Sequence, residues 1–362
     1  MPILWKYLVR NYFQFFFLCV SSFVAILLII RFQDIALFAS SGAKIHQIGL
    51  FTLYQIPYIL PIAIPISSLI ACMILFQRMS ASLEITAFRA AGISLKTLIY
   101  PLLLFATLLS VINFTIISEL TPLTRTLAKD LIYRIASSNP LIVMQKDSAL
   151  DLKTFDFDLK NLDLGKKAEE VICIMRQNSS DRIGLFTAKE LSIDEEFING
   201  KGLSILSSVD PGFDSFDHLV IENQEKIQLS KPFITNYLFS TEWFSKDDLL
   251  SFKEVLQKCL EKKQFFRSKP VLELVRRSCL GLCAFTFTLI GISFGLDISR
   301  RRKKTGLMWA LFLSLFILIS FIAAKTMRGV SPLLLLLYLL PQPVAIFLSC
   351  RALNRISHGV ES

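Results

Sequence analysis

Arg10-Asn11-Tyr12-Phe13-Gln14-Phe15-Phe16-Phe17-Leu18-Cys19-Val20-Ser21-Ser22-Phe23-Val24-Ala25-Ile26-Leu27-Leu28-Ile29-Ile30-Arg31 is charged at its two ends and nowhere between. Its 20 uncharged residues suffice for one helix to cross about 30 Å of hydrocarbon. Five further runs follow the same pattern. Lys44 to Arg78 encloses 33 uncharged residues, Lys96 to Glu119 22, Arg277 to Asp297 19, Lys304 to Lys325 20 and Arg328 to Arg351 22. None alternates in polarity as a barrel strand would. In lipid a backbone must satisfy its own hydrogen bonds, which leaves helices. The fold class expected is a polytopic α-helical membrane protein with six transmembrane helices, arranged 3+3.

Between the third and fourth spans lies a different kind of sequence. Residues 119–277 hold 23 Lys+Arg and 25 Asp+Glu, whereas the other 203 residues hold 16 and 4. The net charge of +10 therefore comes from the apolar part. A nucleic-acid binder would instead carry a basic face on a soluble module. We divide the chain into residues 1–118 (spans 1–3, with a short cytoplasmic helix at about 78–94), 119–277 (an inserted domain) and 278–362 (spans 4–6 and a tail). With the N-terminus inside, the short inner loops hold 12 Lys and Arg, Arg300–Lys304 among them, and the outer ones hold 4. The positive-inside rule then places both termini in the cytoplasm and the insert outside. The first run exceeds a signal-peptide core and no clear small-residue cleavage site follows it, so it reads as a retained anchor.

Pro57, Pro61 and Pro65 recur every four residues in the second span. Each removes an amide and crowds the preceding turn, so the outer half of that helix is expected to be bent or broken. In the next loop, Ser80 or Ser82 could cap a short helix, with Glu84 in its first turn and Gly92 as its stop. That helix would carry one carboxylate, an exposed aromatic (Phe88) and small residues. It reads as a connector lying flat on lipid or as a knob fitting a partner's groove. In the insert, Val171–Arg176, Ile183–Thr187, Leu203–Ser208 and His218–Glu222 read as strands. Gln177–Asp181, Asn199–Gly202 and Asp210–Asp217 read as turns. Asp247–Lys263 reads as helix.

The chemistry that is missing narrows the function. There is no G-x-x-x-x-G-K-[ST] phosphate loop. His46, His218 and His358 are far apart in the topology and form no metal spacing with the cysteines. No catalytic residue, metal or cofactor is therefore expected. Cys173 and Cys259, outside the spans, could pair if oxidised, with separate thiols the preferred reading. Ion-coupled carriers keep ionisable groups inside the bundle, and these spans have none. An amphipathic cargo fits better, with Arg31, Lys44, Lys325 and Arg328 at the outer edge facing anionic head groups or simply snorkelling.

Three stretches carry a resemblance. Tyr7-Leu8-Val9-Arg10 precedes the first span, Leu60-Pro61-Ile62 lies in the second, and Leu83-Glu84-Ile85-Thr86-Ala87-Phe88-Arg89-Ala90-Ala91-Gly92-Ile93-Ser94 forms the loop after it. Together with the 3+3 layout, they resemble the LptF/LptG family over the whole length. These are permease subunits of the lipopolysaccharide-export ABC transporter. Leu83 stands where a serine is common in that family. The resemblance implies a β-jellyroll insert in the periplasm of a bacterium with the chain in its inner membrane. It also implies a heterodimer with a related second permease, a cytoplasmic ATPase dimer, a periplasmic jellyroll bridge protein and lipopolysaccharide as cargo. The loop would be a coupling helix on the ATPase, with Glu84 as the acidic contact and Arg78, Thr86, Phe88, Arg89 and Gly92 around it. The first span of one subunit and the fifth of the other would form lateral gates. From the sequence alone, two other readings stand beside this one: a mechanotransmitting ABC subunit, and a membrane-anchored periplasmic scaffold.

Overall fold

A computed structural model describes residues 2–40, 43–138, 155–158, 161–163, 167–176, 183–194, 197–208, 219–230, 249–261, 269–296, 305–327 and 332–357. Each charge-free run is helical over nearly all of its described residues. The helices before the insert are α1 (Pro2–Ile30), α2 (Phe32–Ser40), α3 (Ile45–Ala81), α4 (Glu84–Ala90) and α5 (Leu95–Thr115). A π-helical turn, Ile116–Leu120, joins α5 to α6 (Thr121–Ser138). After the insert come α7 (Phe252–Glu261), α8 (Lys269–Gly295), α9 (Thr305–Thr326), α10 (Pro332–Leu339) and α11 (Pro341–Ser357). Six helical segments among the described residues are long and apolar enough to cross a membrane. The chain is thus a six-span helical membrane protein with a β-rich insert, as its charge pattern predicts. It divides into one unit of Met1–Ile29, Gln55–Arg125 and Asp247–Ser362, and a second of Ile30–Tyr54 and Thr126–Lys246.

In the first unit α8 is the central helix. Gly281 and Gly291 let its neighbours come close. A Cβ on Gly281 would lie 2.8 Å from Cβ of Phe114, and one on Gly291 would lie 2.7 Å from the Leu69 carbonyl oxygen. Small residues at such crossings are how membrane helices gain contact where no hydrophobic force acts between them. Donors from several helices reach main-chain oxygens of α8. Ser110 bonds Gly281 at 3.0 Å, Asn113 bonds Leu280 at 2.9 Å, Ser68 bonds Ala284 at 3.4 Å, and Gln342 bonds Cys279. Leu8, Tyr12, Leu75, Phe76, Leu102 and Ile292 pack into one buried cluster beside it.

The proline-rich span is not broken: α3 is helical without interruption from Ile45 to Ala81. Pro61 and Pro65 lack the amides that would bond the carbonyls of Pro57 and Pro61. Side chains of the third span take that place. Thr121 Oγ1 donates to Pro57 O at 2.9 Å, and Asn113 Nδ2 donates to Pro61 O at 3.4 Å. Neighbouring helices commonly re-satisfy freed carbonyls in membrane proteins.

The second unit holds a six-stranded antiparallel sheet among the described residues, ordered β1-β3-β4-β5-β6 with β2 also paired to β3. Its strands are β1 (Phe155–Asp158), β2 (Asn161–Asp163), β3 (Lys167–Arg176), β4 (Ile183–Ile193), β5 (Phe197–Ser208) and β6 (Leu219–Ser230). The predicted strands fall in β3, β4, β5 and β6 but are too short, and β1 and β2 were not predicted. Asn199–Gly202 is not a turn but lies within β5, in register with β4 through Asn199↔Ser192 and Lys201↔Glu190. The polar, glycine-containing composition has another cause. Buried residues shift from Ala168 to Val171 in β3, from Ala188 to Leu191 in β4 and from Gly200 to Leu203 in β5. Each strand exchanges its two faces along one transverse line, where Glu170 (φ 50°) and Gly202 (φ 62°) adopt left-handed backbone. Glycine is suited to such a crease. His218, His358 and the other two expected turns lie outside the described residues. Phe38 stacks on Phe51 in this unit, with centroids 4.3 Å apart and Ala128 buried beside them. Cys173 and Cys259 are buried thiols.

Candidate functional site

Two places in the helical unit gather chemistry. The first is α4 and its flanks. Ile85 is buried and Phe88 half-buried against the cluster containing Leu75 and Leu98, which fixes this seven-residue helix to the bundle. Phe88 is therefore not the exposed aromatic the sequence suggested, because it lies three residues from Ile85 on the inward face. Thr86, Arg89 and Arg78 remain exposed. Neither Ser80 nor Ser82 is the cap. Leu83 holds that position in left-handed backbone (φ 59°), without a side-chain cap bond. Ser82 instead donates to Glu84 Oε1 at 2.9 Å, and Tyr7 donates to Glu84 Oε2 at 3.2 Å. Gly92 is the stop expected of it. At φ 79° its amide bonds Arg89 O, and the next amide, of Ile93, bonds Phe88 O. That pair of bonds is a Schellman motif. The result is a rigid knob with one oriented carboxylate.

The second place is a cavity of about 350 Å³ between the spans. Its apolar wall includes Pro61, Pro65, Cys283, Phe287 and Phe321. Its lining also holds three cations, Arg125, Arg276 and Lys325. Arg125 lies over the ring of Tyr58, with its guanidinium carbon 4.2 Å from the centroid. Arg276 makes a two-pronged bond to Glu273, at 2.7 and 2.6 Å. The π-helical turn helps shape the wall, since Ile117 within it and Thr121 after it both line the cavity. Cations above an apolar floor suit an anionic amphiphile, with the head on the guanidinium groups and the chains below.

Of the four cations singled out from sequence, Lys325 lines this cavity. Arg31 belongs to the second unit and pairs with Asp34 at 2.9 Å, both half-exposed. Lys44, also there, has its main-chain amide on Gln47 Oε1 at 2.9 Å. Arg328 lies outside the described residues. Arg125 and Arg276 escaped the sequence reading because both fall between Glu119 and Arg277 and were counted with the insert. Their nearness to the ends of charge-free runs was the available signal. Among the described residues no three His, Cys, Asp or Glu side chains gather as metal ligands.

A family model described as "Lipopolysaccharide export system permease LptF/LptG" matches residues 6–355. No curated protein matches the chain.

Proposed function

The chain belongs to the LptF/LptG family of lipopolysaccharide export permeases, and from that premise we propose that it is the lipid-handling half of a transporter driven by a separate ATPase. It works in the bacterial inner membrane as a multi-pass subunit, with both termini cytoplasmic and residues 119–277 in the periplasm. It pairs with a related second permease. Its insert completes a jellyroll that passes lipid to a periplasmic bridge protein.

The observation that carries this reading is the cavity, where Arg125, Arg276 and Lys325 share a lining with Phe287 and Pro65. Lipid phosphates bind the cations while acyl chains cover the apolar wall. A charge-assisted hydrogen bond contributes roughly 1.5–3 kcal/mol, so each cation is worth about tenfold or more in affinity. On the cytoplasmic side, α4 is the coupling helix and Glu84 its contact with a basic group of the ATPase. Arg78, Thr86 and Arg89 form the exposed rim of that contact, and Phe88 and Gly92 fix its shape. ATP closes the ATPase dimer, the paired coupling helices move, the cavity narrows, and a lipid that cannot remain in a tightened space leaves toward the outer face. Arg31, Lys44 and Arg328 provide further head-group contacts.

A photo-crosslinking residue at Ile322, on the cavity wall, tests the reading in cells making lipopolysaccharide. The expected result is a lipopolysaccharide adduct that weakens when Arg125 and Lys325 are both changed to Gln. Absence of the adduct in otherwise native chain would refute it.

A further inference from the structure

The first half of α1 has two faces. Leu8, Tyr12, Phe16 and Cys19 recur at helical spacing and are buried. Lys6, Arg10, Phe13, Gln14 and Phe17 recur on the far side, and all five are exposed. With Val9 they line an open groove of about 500 Å³ along the helix. The side chains of Lys6, Arg10 and Gln14 make no hydrogen bond, ion pair or ring contact among the described residues. Phe13 and Phe17 pack on each other, with ring centroids 4.8 Å apart.

Along the groove the chemistry follows the order of a membrane leaflet. The cations come first, then the amide and the rings, and beyond Phe17 no charge appears before Arg31. Two cations one turn apart suit a phosphate that carries net negative charge. A zwitterionic head group suits them less, because its own ammonium meets the second cation. A second copy of this chain is disfavoured by the same charge, since outside residues 119–277 it carries 16 Lys+Arg against 4 acids. Snorkelling alone lifts each side chain toward water, but it needs no groove and selects no lipid.

We propose that this groove binds one anionic phospholipid of the leaflet in which the chain begins. Its phosphate meets Lys6 and Arg10, its glycerol esters meet Gln14, and an acyl chain covers Phe13 and Phe17. Arg10 opens the first span and Lys325 closes the fifth. With six crossings the two stand on opposite faces of the membrane, so this lipid is not the occupant proposed for the cavity. The site stands whether or not the cavity holds cargo.

The test places a photo-crosslinking residue at Gln14 of the full chain, purified with its transporter partners. The protein is reconstituted in nanodiscs of phosphatidylcholine and phosphatidylglycerol in equal parts, and mass spectrometry identifies the adducts. A single Lys or Arg near an anionic surface strengthens attraction about fivefold, so the pair should enrich phosphatidylglycerol adducts by roughly tenfold or more. Lys6→Gln combined with Arg10→Gln, which costs the described fold no side-chain bond, should return the ratio to that of the disc. Phe17→Ala keeps both charges and should lower the lipid adduct several-fold, whereas diffuse attraction to a charged surface would leave it unchanged. The proposal is overturned if the otherwise native chain crosslinks the two lipids in the proportion of the disc. It is overturned equally by enrichment that survives the double substitution, by an adduct indifferent to Phe17→Ala, or by capture of a second polypeptide at Gln14 in place of lipid.

Discussion

The phenol of Tyr7 donates a 3.2 Å hydrogen bond to Glu84 Oε2 across 77 positions of sequence. It joins the start of the first span to the first turn of α4, while Ser82 holds the other carboxylate oxygen at 2.9 Å. The group proposed to face the ATPase is therefore already tied to the span that the family resemblance makes a gate. Tyr7→Phe removes the hydroxyl and little else. The bond is exposed, so folding should change by less than about 1 kcal/mol. The ATPase should still copurify, but lipopolysaccharide-dependent ATP hydrolysis should fall roughly fivefold, equivalent to about 1 kcal/mol of coupling. Glu84→Ala should lose both copurification and hydrolysis. Unchanged hydrolysis in Tyr7→Phe would show that the link transmits nothing.

Asn113 donates to Pro61 O at 3.4 Å and to Leu280 O at 2.9 Å, tying three spans at one point. Asn113→Leu strands the Pro61 carbonyl, whose ordinary partner Pro65 cannot supply. Hydrogen bonds of this kind between membrane helices contribute about 0.6–2 kcal/mol each. The single variant should unfold several degrees earlier in detergent. Pro65→Ala returns an amide to the Pro61 carbonyl, so the double variant should regain part of the loss. A thermal-unfolding cycle with a coupling of about 1 kcal/mol is expected. Strict additivity would mean that the Asn113–Pro61 contact contributes nothing.

What could be read from the sequence depended on the length scale of the signal. Six spans were legible because about 20 uncharged residues in a row satisfy a requirement set by the bilayer, with no need of tertiary contacts. Gly92 was legible as a helix stop for a similarly local reason. The integrity of α3 was not, since its proline carbonyls are rescued by Thr121 and Asn113, which lie 64 and 52 residues away. The crease through Glu170 and Gly202 was misread as a turn at Asn199–Gly202 because both need the same residues; strand pairing alone distinguishes them. The cavity cations were half legible. Lys325 ends a span, whereas Arg125 and Arg276 acquire their role only when α6 and α8 continue as helices beyond the last apolar residue.

Gly291 and Gly49 make a matched pair. Both lie in spanning helices, yet a Cβ at Gly291 would come within 2.7 Å of Leu69 O and 2.8 Å of Cys72 Cβ, while at Gly49 nothing lies within 4 Å. Gly291→Ala must push α8 from α3, and overpacking of that sort costs about 1–3 kcal/mol. Gly49→Ala meets no neighbour and gains helix propensity, worth up to about 1 kcal/mol in water. Thermal unfolding of the two full-length variants should therefore move in opposite directions. A similar downward shift in both would show that the α3–α8 crossing is not as close as these distances state.

Glu190 sits mid-sheet between two lysines, with Lys201 Nζ 3.0 Å from Oε2 and Lys167 Nζ 3.3 Å from Oε1. Its carboxyl is held below the usual glutamate range, first by the hydrogen bond from Lys201 and then by that from Lys167. A carboxyl whose folded-state pKa is depressed adds stability above the unfolded-state value of about 4.3, and loses it as pH falls through the folded-state value. The site is open to solvent, so the effect is local and screened by salt. Amide exchange in β3, β4 and β5 of the full chain reads it out. At pH 7 Glu190→Gln should exchange faster than the native protein near Lys167 and Lys201, and the gap should close in acid below the ordinary glutamate range. Raising the salt at pH 7 should narrow it too. A gap that persists unchanged into strong acid would mean that the substitution disturbs packing, and that the two lysines do not stabilise the carboxylate.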